Sequence, residues 1–196
     1  MGGVRFDALD EAAVVRRIVG EARAGRGGCV VTANLDHVRR YRRDPAYRAV
    51  VDAADLVVAD GMPVIWASRV QGTPLPERVA GSSLTWSLSR AAGEAGLSVF
   101  LLGGNPGVAE RAGAKLEQEC PGLRVAGTRC PPVGFENDPA EMAAIEADLR
   151  SSGADLVYVA LGSPKQERLI ERLRRGRGGQ SERRGGMSIA ASAADQ

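Results

Sequence analysis

Asp60 closes a short apolar run, Leu56-Val-Val-Ala59, and is followed by Gly61 and then, two places on, by Pro63. The run reads as a buried strand, Gly61 as a turn, and Pro63 as the start of a helix, where its missing N–H costs nothing. A carboxylate at the carboxyl end of a buried strand, facing a helix N-terminus, stands where open α/β sheets bind ligands. The competing reading is that Asp60 only caps the helix that starts after it. Three other stretches repeat the pattern of small or polar residues directly after an apolar run: Thr32-Ala-Asn34, Gly103-Gly104-Asn105 and Gly162-Ser163-Pro-Lys-Gln166. Glycine lets a phosphate approach the backbone, and the free N–H groups of a helix start attract anions. A nucleoside diphosphate is the ligand class this chemistry indicates. Arg78, at the end of a loop before a helix, is the candidate for neutralising its charge; the alternative is a solvated surface arginine.

These residues need a scaffold that brings strand ends together. Asp7 or Asp10 can cap a first helix to about Ala24. Cys29 to Ala33 reads as a strand, and an arginine-rich helix follows, broken at Asp44-Pro45 and resumed to Ala54. The strand ending at Asp60 leads to a helix from Pro63 to Val70 and a proline-containing loop to Glu77. A helix is expected from Ser82 to Ala95, a strand from Leu97 to Leu102, and a helix opened by Pro106 to Glu119. Then come a short strand from Leu123 to Gly127, a helix from Asp138 to Arg150, a strand from Asp155 to Leu161, and a helix to about Arg174. Five apolar strands alternating with helices predict one doubly wound, mainly parallel α/β sheet with helices on both faces, Rossmann-like in class. In such a sheet all strand carboxyl ends share one side, so the four stretches converge.

Composition narrows the function classes. The 196 residues suffice for one domain with a sizeable core. No apolar run is long enough to span a bilayer, and Met1 to Asp10 has no apolar signal core, so a cytoplasmic location is expected. Three cysteines without C-x-x-C spacing argue against a disulfide framework or a thiolate zinc site. A net charge of +2 gives no pull towards nucleic acid. Lys115 and Lys165 are the only lysines among 26 basic residues, a skew that reads as codon bias. The chain has neither G-x-x-x-x-G-K-S/T nor G-x-G-x-x-G after its first strand, which lowers ATPase and dinucleotide-dependent oxidoreductase readings. His37 is the only histidine, so histidine catalysis is not expected and a histidine metal site is close to excluded.

In order along the chain, Thr32-Ala-Asn34, Ala59-Asp-Gly-Met-Pro63, Arg78-Val-Ala-Gly81 with Leu84, Phe100-Leu-Leu-Gly-Gly104 and Leu161-Gly-Ser-Pro-Lys-Gln-Glu167 resemble the WecG/TagA/CpsF family of glycosyltransferases. The likeness runs from about residue 5 to residue 174. It implies inverting, metal-independent transfer of an N-acetylmannosamine-type sugar from a UDP-sugar to a polyprenyl-diphosphate-linked acceptor, in teichoic acid or surface polysaccharide synthesis. No cofactor or metal is implied; the partners are the UDP-sugar donor, the lipid-linked acceptor and the inner membrane surface, with homo-oligomers compatible. By the resemblance Asp60 is the general base, Arg78 offsets charge on the leaving diphosphate, and Thr32 and Asn34 position substrate. Gln166 contacts the nucleotide-sugar, helped by backbone donors at Gly103, Gly104 and Gly162. Gly61, Asn105 and Ser163 complete the substrate-binding set.

Two departures from the family pattern set further expectations. Ser83 stands where the family commonly has an aspartate, so whatever that carboxylate orients is affected. Beyond Arg174 the chain turns rich in Arg, Gly, Ala and Ser, so residues 175–196 are expected to be a disordered tail after a 1–174 domain. On that reading one core strand is missing and a sheet edge is exposed, while the tail arginines could attract anionic lipid. The alternative function is therefore a truncated, non-catalytic relative that keeps only nucleotide or partner binding.

Overall fold

The computed structural model of the chain describes residues 2–177 and 187–190. The strands are β1 (Cys29–Ala33), β2 (Leu56–Ala59), β3 (Ser98–Gly103), β4 (Arg124–Arg129), β5 (Leu156–Ala160) and β6 (Met187–Ala190). They form a single sheet in the order β2-β1-β6-β5-β3-β4, and every neighbouring pair is parallel. Parallel pairing needs a crossover between strands, and the helices α1 (Glu11–Arg23), α2 (Leu35–Arg43), α3 (Pro45–Asp52), α4 (Met62–Val70), α5 (Gly81–Glu94), α6 (Val108–Glu119), α7 (Pro139–Ser152) and α8 (Lys165–Arg177) supply it. The α/β class expected from the apolar runs is the class observed.

Two separate apolar layers sandwich the sheet, which is why β1, β2 and β3 are buried at every position. On one face Val14 and Ile18 of α1, Leu84 and Leu88 of α5 and Leu116 of α6 pack on Val30, Val58, Val99 and Leu156. On the other, Tyr47 and Val51 of α3, Ile145 and Leu149 of α7 and Ile170 of α8 pack on Val31, Val57, Phe100 and Val159. Strand β4 forms one edge and stays partly exposed. The opposite edge, β2, is closed by the N-terminal segment: Asp7 N–H donates to the Val57 carbonyl and Val57 N–H to Asp7 Oδ2, both at 2.8 Å. A small repeated device starts two strands. In each Ala-Asp-Leu-Val, the aspartate takes the first amide of the neighbouring strand: Cys29 N–H to Asp55 Oδ2 and Ser98 N–H to Asp155 Oδ2, both at 2.8 Å.

Helix starts follow local chemistry. Asp10, Asn34, Asp44 and Asp138 each accept backbone N–H groups of the first turn. Helix α6 begins two residues after Pro106, with Gly107 as its left-handed N-cap at φ 77°.

The tail departs from the compositional expectation. Helix α8 runs to Arg177, past Arg174, and Met187–Ala190 form β6 in the middle of the sheet. It pairs with β1 through Val30↔Ile189 and with β5 through Val157↔Ser188. The expected missing core strand and exposed edge are thus corrected. A composition count averages over a long stretch and dilutes a four-residue run, whereas the backbone donors and acceptors of β1 and β5 require a partner between them. The remainder of the stretch expected to be disordered, 178–186 and 191–196, including Arg183 and Arg184, lies outside the described residues.

Candidate active site

Because the sheet is parallel, Asn34, Asp60, Gly103 and the segment after Ala160 all emerge on one side. Asp60 leaves β2 with its own N–H on the Ala33 carbonyl (3.0 Å), so the ends of β1 and β2 are tied together. Gly61 then turns at φ 125°, a region that L side chains rarely adopt, and a β-carbon there would only just touch Pro63 and Asn34. The Arg78–Gly81 segment crosses over β2, with Val79 N–H donating to the Ala59 carbonyl (2.8 Å).

The Asp60 side chain is not a cap for α4, which has no side-chain cap. Its Oδ2 accepts the N–H of Gly81, the first residue of α5, at 3.3 Å. Burial pushes the carboxyl up from its ordinary range, while the Gly81 N–H and the charges of Arg78 and His37 pull it down without cancelling the rise. A half-buried carboxylate with a raised proton affinity, an arginine nearby and a helix N-terminus beneath it is an arrangement suited to proton abstraction beside a developing negative charge. Arg78 itself is exposed.

A second cluster sits over the ends of β1 and β5. Asn34 caps α2, its Oδ1 accepting Asp36 N–H (3.0 Å) and His37 N–H (3.2 Å). His37 Nδ1 lies 2.7 Å from the same oxygen, and His37 Nε2 lies 3.2 Å from Glu167 Oε1. Gln166 Nε2 donates to Glu167 Oε1 at 3.1 Å, and Ser163 Oγ donates to the Tyr47 hydroxyl at 3.2 Å. His37, Gln166 and Glu167 are all buried. Burial pushes Glu167 up, but the hydrogen bond and charge of His37, its own N–H and the Gln166 amide outweigh it and hold the carboxyl below its ordinary range. Tyr47 is pushed well above its ordinary range by burial and by the Glu167 charge.

Thr32 is fully buried within β1, two residues before Asn34. Gly103 (φ 113°) passes so close to the Ala160 carbonyl that a β-carbon would collide with it. Gly104 N–H donates to that same carbonyl at 2.9 Å, so the backbone donor expected there for a phosphate is already used. Gly162 is exposed, with open space around its α-carbon, and its carbonyl accepts Gln166 N–H (3.1 Å). Asn105 is exposed at the rim, its carbonyl accepting Val108 N–H at 3.0 Å. Gly81, the residue that holds Asp60, also lines a cavity of about 480 Å³ between α5 and α6, together with Gly103, Gly104, Trp86 and Val108.

The structure therefore brings Asp60, Gly61, Asn34 and Arg78 together, and brings Gln166 and Ser163 to the Asn34 side through His37, Glu167 and Tyr47. Sequence reasoning missed these last three as site residues. The Asn-x-x-His spacing at a helix start and the glutamate beside Gln166 were the available signals. Ser83 turns towards α1, its Oγ 2.6 Å from Glu11 Oε2, so a carboxylate from α1 stands beside the position expected to lack one. Among the described residues there is no group of three or more His, Cys, Asp or Glu side chains that could hold a metal ion. Nor is any helix among them long and apolar enough to cross a membrane.

The chain matches the family model described as "Glycosyl transferase WecG/TagA/CpsF family" over residues 1–185. It is 33% identical over 149 residues to the N-acetylglucosaminyldiphosphoundecaprenol N-acetyl-beta-D-mannosaminyltransferase of Bacillus spizizenii. That alignment covers 76% of this chain and 56% of the relative, so the chain spans about half the length of the curated relative it matches. With a family match over most of its length and strand-end motifs in the order the resemblance requires, the chain belongs to the WecG/TagA/CpsF family of glycosyltransferases.

Proposed function

We propose that the chain transfers an N-acetylmannosamine-type sugar from a UDP-sugar to a polyprenyl-diphosphate-linked acceptor, with inversion and without a metal. The relative's name supports the sugar and the acceptor class. The observation that carries the reading is the Asp60 carboxylate, held by Gly81 N–H at the start of α5 with Arg78 close by. In one displacement the acceptor hydroxyl gives its proton to Asp60 while its oxygen bonds to the anomeric carbon. The bond from that carbon to the UDP oxygen breaks, and UDP leaves with the electron pair. Arg78 and backbone dipoles offset the charge that develops on the diphosphate. A single in-line displacement inverts the anomeric centre. A lipid-linked acceptor supports a peripheral enzyme working at the inner membrane face.

The test is transfer from UDP-N-acetylmannosamine to a lipid-linked N-acetylglucosamine acceptor by wild-type protein and Asp60→Asn. The variant is expected to lose at least about 100-fold in turnover, the usual scale of a general base, and to keep its UDP affinity. Undiminished turnover would remove Asp60 from the role.

A further inference from the structure

Gln166 Oε1 and the neighbouring Glu167 Oε2 are buried without a hydrogen-bond partner among the described residues, and with Arg129 Nε they are the exceptions among the buried side-chain polar atoms there. Which end of the Gln166 carboxamide is unpaired is not arbitrary. Asn34 Oδ1 accepts two backbone N–H groups, which identifies it as the amide oxygen. His37 Nδ1 accepts the Asn34 backbone N–H at 3.4 Å, closing the reciprocal cap of α2, which puts the ring N–H on Nε2. Nε2–H faces the Glu167 carboxylate at 3.2 Å and donates to it. Glu167 Oε1 is therefore an acceptor, and it accepts the Gln166 Nε2 too. Turning the Gln166 amide over would set oxygen against carboxylate oxygen. The chain Asn34–His37–Glu167 thus fixes the Gln166 oxygen, not its NH2, as the atom left to be satisfied.

We propose that Glu167 and His37 are positioning residues that hold the Gln166 carboxamide with its oxygen towards the donor sugar, so that the site reads a hydroxyl or amide N–H of that sugar. This rests on the nucleotide-sugar reading above and adds which part of the ligand goes where. An unpaired amide oxygen beside a buried carboxylate, whose own Oε2 is also unpaired, repels phosphate and accepts a neutral donor. The sugar therefore lies over the ends of β1 and β5, and the diphosphate lies away from Glu167.

Calorimetric titration of the full chain with UDP and with UDP-N-acetylmannosamine separates the two halves of the ligand. Wild type is expected to bind the sugar nucleotide more tightly than UDP. Glu167→Gln, which keeps size but frees the amide to turn, is expected to bind UDP as wild type does while losing roughly tenfold of the sugar's added affinity. His37→Gln serves as a second variant should the first not fold, and the same split is expected of it. A folded variant that keeps the full sugar increment overturns the positioning role, because the amide is then fixed or satisfied by something else. An equal loss for UDP and the sugar nucleotide also overturns it, marking a merely structural effect. Wild type binding neither ligand overturns the nucleotide-sugar reading itself, and the proposal with it.

Discussion

His37 Nε2 and Glu167 Oε1 lie 3.2 Å apart, with both side chains almost wholly withdrawn from solvent. They are 130 residues apart in sequence and join the first turn of α2 to the first turn of α8 across the edge where the strands end. Glu167 is held below the ordinary carboxylate range because His37 and its other donors outweigh burial. A depressed carboxyl contributes stability above its unfolded value and loses it as pH falls through the folded one. Glu167→Gln should therefore melt several degrees lower near neutrality, about 1–3 kcal/mol, with the gap closing in acid. Melting curves from pH 7 down to pH 4 check this, and a gap independent of pH would show that the charge is not the source.

Asp60 has the opposite sign. Its carboxyl is raised, chiefly by burial, so its contribution is present below the ordinary aspartate range and is lost as pH rises through the folded value. At neutral pH the ionised group is a cost to the fold. Asp60→Asn should thus melt slightly higher than wild type at pH 7, and not at pH 3, while losing transfer. Thermal scans at both pH values with the transfer assay alongside decide whether stability and activity part in this way.

Arg78 is among the charges that pull Asp60 down. Removing it in Arg78→Ala should lift the acidic limb of the kcat/KM profile to higher pH, since the carboxylate then holds its proton more tightly. The fold should be little affected, because the side chain is exposed. A pH–rate profile that falls in height without moving would leave Arg78 acting on the leaving group alone.

Gly103→Ala meets two obstacles at once, a φ of 113° and a β-carbon driven into the Ala160 carbonyl. The Gly104 N–H bond to that carbonyl would be lost with it. A cost of about 2–4 kcal/mol is expected, read as a fall in melting temperature. Gly162→Ala, strained but unobstructed, should cost less. Comparable losses in the two variants would contradict the close approach of β3 and β5.

Within the sheet, β6 is the only described strand joining β2-β1 to β5-β3-β4. Ile189→Pro removes a backbone donor from the centre of the sheet and should cost about 3 kcal/mol or more. Hydrogen exchange should show the amides of β1 and β5 losing protection ahead of those in β3 and β4. Unchanged protection in β1 and β5 would mean that β6 does not hold the two halves together.

Much of this architecture is local and therefore legible. Continuous apolar runs such as Val57 to Ala59 and Val157 to Ala160 can only be strands covered on both faces. The caps at Asp10, Asn34, Asp44 and Asp138 act within three residues of themselves, and parallel pairing then sends Asn34, Asp60, Gly103 and Gly162 to one edge. The ordered motifs also sufficed to mark the family. What required the tertiary structure was every partnership between distant segments. Asp60 holds α5 rather than α4, because the chain from Arg78 to Gly81 crosses over β2. The Gly104 amide is taken by Ala160, a residue that becomes its neighbour only when β3 and β5 pair. Met187–Ala190, too short to stand out in a polar and glycine-rich stretch, become a strand because β1 and β5 leave backbone groups to satisfy between them. His37 and Glu167 look like ordinary surface residues in the sequence. Burial made them a pair, since neither could be withdrawn from water without the other.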